Sequence, residues 1–243
     1  MKSNLLSQFI IWGKKQSFQP NFFSLFINPF FFIRLRLFQK IRKLAPELKG
    51  KLLDFGCGRK PYKNLFTNIS EYIGLDMEQT GHNHSLSEID VFYDGKKIPF
   101  EDESFDAIFS GEVFEHIFNL EEMLEELHRV LKKEGKMLIT IPFMWGEHEQ
   151  PYDYARYTSF AIRHLLEKKG FQVLDIQKAG RASETILQLY TAYLHSFFPK
   201  NKSVSTLFCM LFIFPIHLVG GLLTLLLPSN KDIYFNNIVL VKK

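Results

Sequence analysis

The sequence predicts an α/β protein built on a doubly wound, mostly parallel sheet of seven strands. Three observations carry that expectation. Short apolar runs recur from Lys51 onward, separated by helical patterns and turn residues. The first run, Leu52-Leu53, is followed by Asp54-Phe55-Gly56-Cys57-Gly58, a turn that lets a backbone approach a ligand closely. The second, Ile73-Gly74-Leu75, ends on Asp76. In a doubly wound sheet the carboxyl ends of the strands form the ligand site, and an acid there accepts hydrogen bonds from ribose hydroxyls.

The elements follow in chain order. Residues 30–44 read as a helix, with Phe30, Ile33, Leu37, Ile41 and Leu44 on one stripe and Arg36, Lys40 and Lys43 opposite; Pro46 ends it. Strands are expected near 51–55, 72–75, 89–93, 105–110, 136–141, 171–178 and 234–241, alternating with helices on both faces of the sheet. Asn119, with Glu122 three residues on, signals a helix N-cap, and Leu120, Leu124, Leu127 and Leu131 keep helical spacing up to Gly135. Thr158 starts a further helix that Gly170 stops. The expected organisation is a basic, aromatic helical extension over 1–46 and a main domain over 47–243, interrupted by an apolar helical insert at 182–231.

The glycine turn points to a nucleoside cofactor rather than a dinucleotide. A dinucleotide turn needs a third glycine, where this chain has Arg59-Lys60-Pro61, and Asp54 would face a pyrophosphate with like charge. A carboxylate suits a cationic amino-acid ligand better. These residues resemble the class I S-adenosylmethionine-dependent methyltransferases. The likeness runs on through Ile98-Pro99-Phe100, Ser104-Phe105-Asp106, Ser110 to His116, Glu126 to Leu131, Glu134-Gly135 and Leu138 to Pro142, covering about residues 48 to 178. It implies a Rossmann-like sheet whose last strand is antiparallel, and methyl transfer from S-adenosyl-L-methionine. It further implies that Asp54, Gly56, Cys57 and Gly58 cradle the methionine part, Asp76 the ribose, and Met77 one face of adenine. Tyr93-Asp94 falls where the adenine amino group is received, although Asp94-Gly95 is equally the sequence of a plain turn. Ser110 would end the fourth strand under the sulfonium.

After the fifth strand comes Pro142 to Thr158, rich in aromatic and polar residues. It is similar to the Glu-His-x-x-Pro-x-Asp-x-x-Arg-Tyr-Thr stretch of small bacterial methyltransferases, some associated with surface polysaccharides and lipid-linked sugars. Such a segment would form a substrate lid containing Trp145, Glu147, Tyr152, Arg156 and Tyr157. His148 and Asp153 are its catalytic candidates; either His148 serves as base, or the pair bond each other and order the lid.

Charge is divided unevenly. Residues 1–46 hold eight Lys or Arg and no Asp or Glu, leaving 22 basic and 26 acidic residues in the rest. Nine of the 26 phenylalanines fall in the same segment, which favours a membrane surface over nucleic acid as its partner. No Asp, Glu, Lys or Arg occurs between Lys202 and Lys231, and Val204–Leu227 is long enough to cross a bilayer. A single crossing would strand the last β-strand on the wrong side. The expectation is therefore a peripheral or monotopic protein on the cytoplasmic side of the membrane, acting on a small or lipid-linked acceptor. A non-catalytic membrane adaptor and a nicotinamide-dependent oxidoreductase are the alternatives. Two cysteines, one inside the glycine turn, argue against a disulfide. His82 and His84 lie in a polar loop without cysteine partners, and no metal site is expected.

Overall fold

The structure is a computed structural model that describes residues 16–78 and 87–243; His82 and His84 lie outside the described residues. The chain divides into two compact units, Met1–Gln39 with Ala179–Phe235, and Lys40–Lys178 with Asn236–Lys243. The expected insert and the part of the extension up to Gln39, far apart in sequence, thus fall in one unit, while residues 40–46 fall in the other.

The second unit is built on a seven-stranded sheet. Its strands are β1 (Gly50–Phe55), β2 (Ile69–Met77), β3 (Val91–Tyr93), β4 (Phe105–Gly111), β5 (Leu131–Pro142), β6 (Gln172–Ala179) and β7 (Asn236–Lys242), in the order β3-β2-β1-β4-β5-β7-β6. β1 pairs in parallel with β2 and β4, and β4 with β5; β7 runs antiparallel to β5, with Ile139 opposite Val239. The strand order reverses between β1 and β4, so a crevice opens at their carboxyl ends. Leu52, Leu53, Ile108, Leu138, Ile139 and Val239 are buried in the sheet. Burial on both faces is why these strands read as continuous apolar runs.

Helices cover the sheet less completely than the sequence suggests. Between β1 and β2 the chain makes only a short 3-10 turn, Lys63–Leu65. Arg59-Lys60-Pro61 explains the missing helix: Lys60 takes a left-handed φ of 48°, and Pro61 supplies no backbone donor. Helix α2 spans Leu120–Val130 and buries Leu120, Met123, Leu124, Leu127 and Val130; α3 spans Ser159–Lys168. α2 stops before the predicted Gly135 because Leu131 is already extended and opens β5. Asn119 sits at the N-cap, but its side-chain amide donates to Glu122 Oε2 at 2.7 Å instead of accepting from the helix. Thr158 does cap α3, accepting from the Ala161 N–H.

The first unit is helical. α1 (Phe31–Leu44) begins in it and continues into the second unit; α4 (Ala182–His195) and α5 (Lys202–Leu226) complete it. α5 widens to i→i+5 geometry over Cys209–Ile213, just before Pro215, whose ring removes a donor from the helix. Polar groups fasten the helices to one another. Buried Gln188 accepts from the Phe32 N–H at 3.0 Å and donates to the Pro29 carbonyl at 2.7 Å, serving backbone groups at the start of α1. Glu184 is 2% exposed and pairs with Arg36. Apolar contacts join the same pieces: Phe26 stacks on Phe214 at 4.3 Å, and Gly220 lies so close to Leu187 that a Cβ would sit 2.1 Å from it.

Two of the basic residues that periodicity sets opposite the apolar stripe are engaged within the protein. Arg36 pairs with Glu184, and the Lys40 ammonium donates to Gln177 at 2.8 Å. The apolar surface is only partly consumed. Ile186, Tyr193, Phe197, Leu211, Leu222, Leu225 and Leu226 remain exposed, the last at 81%.

Candidate active site

The glycine turn begins where β1 ends. Gly56 has φ +73° and Gly58 φ +47°, conformations that a side chain resists. The two glycines serve different ends. A Cβ on Gly56 would strike Val113 at 2.3 Å, whereas none of the described residues lies within 4 Å of a Cβ on Gly58. Gly56 is therefore needed for packing, and Gly58 leaves an open cradle. The Gly56 and Cys57 N–H groups both donate to the Leu75 carbonyl, which ties the turn to β2.

Asp76 stands at the carboxyl end of β2, one residue before its last. Its Oδ2 accepts from the Gly58 N–H at 2.9 Å and its Oδ1 from the Met77 N–H at 2.8 Å. Each oxygen keeps a further lone pair. Asp54 is buried, and Tyr72 Oη donates to it at 2.6 Å; burial pushes its carboxyl up to about 7, against the lowering influence of that bond and of Lys60. Burial, reinforced by Asp54 and Asp76, also pushes the Cys57 thiol far up, so Cys57 is no thiolate nucleophile. Lys60, itself buried, pairs with Asp90, whose carboxylate also accepts from the Gly74 N–H at 2.7 Å. Three carboxylates and one ammonium thus surround the turn. That charge balance fits a cationic amino-acid sulfonium and opposes a pyrophosphate. Tyr72, Lys60 and Asp90 were missed in the sequence; a tyrosine and a lysine flanking an acid-rich turn were the available signal.

Met77 lies opposite Tyr93 in the β2–β3 register, and its methyl group sits against Gly95. Tyr93 is buried beside Phe55 with ring centroids 5.9 Å apart. Asp94 is exposed, and its Oδ1 accepts from the Lys96 and Lys97 N–H groups, the geometry of an Asx turn. Its carboxylate thus serves its own loop. Ser110 is fully buried in β4, with no hydrogen-bond partner for Oγ among the described residues.

The second cluster gathers at the carboxyl ends of β4 and β5. After β5 the chain runs through Trp145 and His148, then returns past Asp153 and Arg156. Asp153 Oδ2 accepts from the His148 N–H at 2.9 Å and lies 3.2 Å from His148 Nδ1. Arg156 grips Asp153 through both terminal nitrogens and donates to the carbonyls of Trp145 and Gly146. Arg156 and the His148 N–H hold Asp153 down to about 2. The segment is pinned to β4's exit by the Tyr154 and Ala155 N–H groups, which donate to the Glu115 carbonyl at 2.8 and 3.3 Å. Of the other expected lid residues, Glu147 and Tyr152 are exposed, while Tyr157 packs against the apolar core and its carbonyl accepts from Asn237. Tyr157 is therefore a packing residue here.

Glu115 was not recognised from the sequence. It is completely buried with no hydrogen-bond partner on either oxygen among the described residues, and burial together with neighbouring Glu112 raises its carboxyl well above the ordinary range. His116 Nε2 lies 3.6 Å and His148 Nε2 3.9 Å from Glu115 Oε1. Glu112, the other carboxylate at this corner, is bonded to Thr140 and Asn236.

Comparison with known proteins agrees with this geometry. Residues 53–139 match the family model described as a methyltransferase domain. The chain is 33% identical over 164 residues to the uncharacterized protein MJ1123 of Methanocaldococcus jannaschii, covering 62% of this chain and 74% of that one. It is 26% identical over 146 residues to a probable S-adenosylmethionine-dependent methyltransferase of Mycolicibacterium smegmatis, covering 55% and 57%. Over 99 residues it is 36% identical to a sterol 24-C-methyltransferase of Gibberella zeae, covering 35% and 26%. The chain spans only about half the length of several such relatives, including 54% of a second Methanocaldococcus jannaschii protein. Among solved structures, an S-adenosylmethionine-dependent methyltransferase from Mesorhizobium loti shares the fold with a TM-score of 0.52 at 14% identity, over 86% of this chain and 98% of that one.

Proposed function

We propose that the chain, whose residues 53–139 match a methyltransferase-domain family, transfers a methyl group from S-adenosyl-L-methionine to an amphipathic or lipid-linked acceptor met at the cytoplasmic membrane face. When bound, the cofactor supplies an electrophilic methyl group on a sulfonium. The residues proposed to hold it are Gly56, Cys57 and Gly58 at the methionine part, Asp54 for its cationic amino group, Asp76 for the ribose hydroxyls, and Met77 with Tyr93 along adenine. Asp94 would contribute only by shaping the loop beside Tyr93. Ser110 would lie under the transfer line.

The chain's own work is alignment. Transfer is an in-line displacement, so holding the acceptor at the right angle supplies much of the acceleration. Trp145, His148, Asp153 and Arg156 form the face proposed to do this. Asp153 orients the His148 ring through Nδ1, which leaves Nε2 to take the acceptor's proton where the acceptor must lose one.

The observation that carries the membrane reading is α5. It has 25 residues, its most apolar stretch has a mean hydropathy of 2.2, and only 28% of that stretch is buried. A soluble helix would hide such a face; this one leaves Leu211, Leu222, Leu225 and Leu226 in the open. A sterol as acceptor of one relative agrees with an apolar substrate. Cell fractionation tests the membrane part. The protein is expected in the membrane pellet, resistant to high salt and released by detergent; soluble, monodisperse protein without detergent would refute it.

A further inference from the structure

We infer that Glu115, His116 and His148 form a binding site for a divalent transition-metal cation. All three lie in the same unit, and one donor atom from each falls within 4.8 Å of the others. The inference goes beyond methyl transfer and stands or falls independently of it.

The protonation pattern carries it. His116 Nδ1 lies 2.9 Å from the Tyr152 carbonyl, which accepts only from a protonated nitrogen. His148 Nδ1 lies 3.2 Å from both the Gly146 carbonyl and Asp153 Oδ2, again acceptors. His116 therefore carries its proton on Nδ1 when neutral and turns its Nε2 lone pair towards Glu115; His148 Nδ1 faces these two acceptors at 3.2 Å and the Arg156 Nη2 donor at 3.4 Å, and the two shorter contacts favour the same tautomer. Glu115 is completely buried, and among the described residues neither of its oxygens has a hydrogen-bond donor. At 3.6 and 3.9 Å the two Nε2 atoms are too far to be hydrogen-bonded to it. An acid and two imidazole nitrogens thus converge without a hydrogen bond between them, Glu149 Oε2 lies a further 3.7 Å from His116 Nε2, and ionising so buried a carboxyl is costly without a cation. A cation answers all three at once.

The spacing suits a metal. Donors bound tetrahedrally at about 2.1 Å lie about 3.4 Å apart, so the two histidines, 3.6 and 3.9 Å from Glu115, need only close on it slightly, while the widest separation in the group, within 4.8 Å, closes by up to about 1.4 Å. Two imidazoles and one carboxylate select zinc, iron, manganese or cobalt over magnesium or calcium, and three protein donors leave coordination positions open. The surroundings match a metal site's usual outer layer, in which the second ring nitrogen of each ligating histidine donates to a carbonyl or carboxylate. Tyr152 does this for His116, and Asp153 for His148. Cation and proton compete for the same His148 lone pair, so occupancy and the base role proposed above are mutually exclusive states of one side chain.

The test uses full-length protein in detergent, stripped with a chelator and titrated with Co2+ alone, followed by visible absorption and by metal content after dialysis against Zn2+. One equivalent per chain is expected. Glu115→Gln and His116→Ala should each weaken binding by at least about 100-fold. Asp153→Asn, which removes an outer partner, should weaken it about 10- to 100-fold. S-adenosylmethionine affinity, measured by calorimetry on the same samples, should be retained and reports that each variant is folded. Absence of stoichiometric cobalt or zinc in the wild type, or equal binding by Glu115→Gln and His116→Ala, would overturn the site. Loss of cofactor binding with metal binding intact would instead count against the cofactor assignments.

Discussion

Replacing Asp76 by Asn tests the cofactor site at its most defined point. The carboxylate is held by two backbone donors, Gly58 N–H at 2.9 Å and Met77 N–H at 2.8 Å, leaving one lone pair on each oxygen for a ribose hydroxyl. Asparagine keeps one acceptor oxygen and turns an NH2 towards the other donor. Hydrogen bonds to a charged group contribute about 1.5–3 kcal/mol, so loss of charge and of one acceptor should cost about 2–3 kcal/mol of cofactor binding. That corresponds to about 30- to 150-fold in Kd. The cost to folding should be smaller, about 1 kcal/mol, because the lost bond is to a half-buried backbone amide. Calorimetric titration with S-adenosylmethionine, beside a urea melt of each variant, separates the two quantities. Unchanged affinity in a folded Asp76→Asn protein would refute the ribose role. Equal losses in stability and affinity would reduce Asp76 to a brace for the Gly58 turn.

Other outcomes follow from the same geometry. Gly56→Ala should cost at least about 1–2 kcal/mol in stability for its left-handed φ, and adding Val113→Ala should relieve the clash but not that strain; full rescue in a urea melt would show that φ is unimportant. Asp54 has a folded pKa raised to about 7, so its contribution to stability is fully present below its unfolded value near 4 and is lost as pH rises through about 7. Asp54→Asn should flatten the stability profile across that interval, and cofactor affinity of the wild type should fall as pH drops below about 7, because the cationic amino group needs the ionised acid. Glu184→Ala should destabilise the helical unit by about 2–3 kcal/mol, below the usual loss for a broken buried pair because Arg36 is 35% exposed; a thermal melt within error of wild type would contradict this. Substituting Arg156 should lower the transfer rate while sparing cofactor affinity, since Arg156 holds the Asp153–His148 arrangement; joint loss of both would make it part of the fold.

The sheet was legible because each central strand is buried on both faces and shows as an unbroken apolar run. Leu52-Leu53, Ile108-Phe109 and Ile139-Thr140-Ile141 could hardly be read otherwise. The turn between β1 and β2 was harder. It looked like the entry to a helix, but Lys60 adopts a left-handed conformation and buries its side chain, which local pattern does not announce. The lid arrangement was partly readable, since His148, Asp153 and Arg156 lie within nine residues and meet locally. Glu115 was not, although the information was available: it follows β4, the lid follows β5, and adjacent parallel strands bring those two exits together. Arg36 shows the converse failure. Helical periodicity put it on a polar face, and only tertiary contact with Glu184, 148 residues away, shows that this face is covered.

The most direct measurement is methyl transfer on native lipids. Membrane vesicles bearing the organism's own lipids would be incubated with purified full-length protein and S-adenosylmethionine labelled in the methyl group, then partitioned between organic solvent and water. Label should enter the organic phase in proportion to protein, and it should fall sharply with Asp76→Asn. Label confined to water-soluble products would contradict the amphipathic acceptor, and no label in either phase despite demonstrated cofactor binding would contradict transfer to any acceptor those membranes contain.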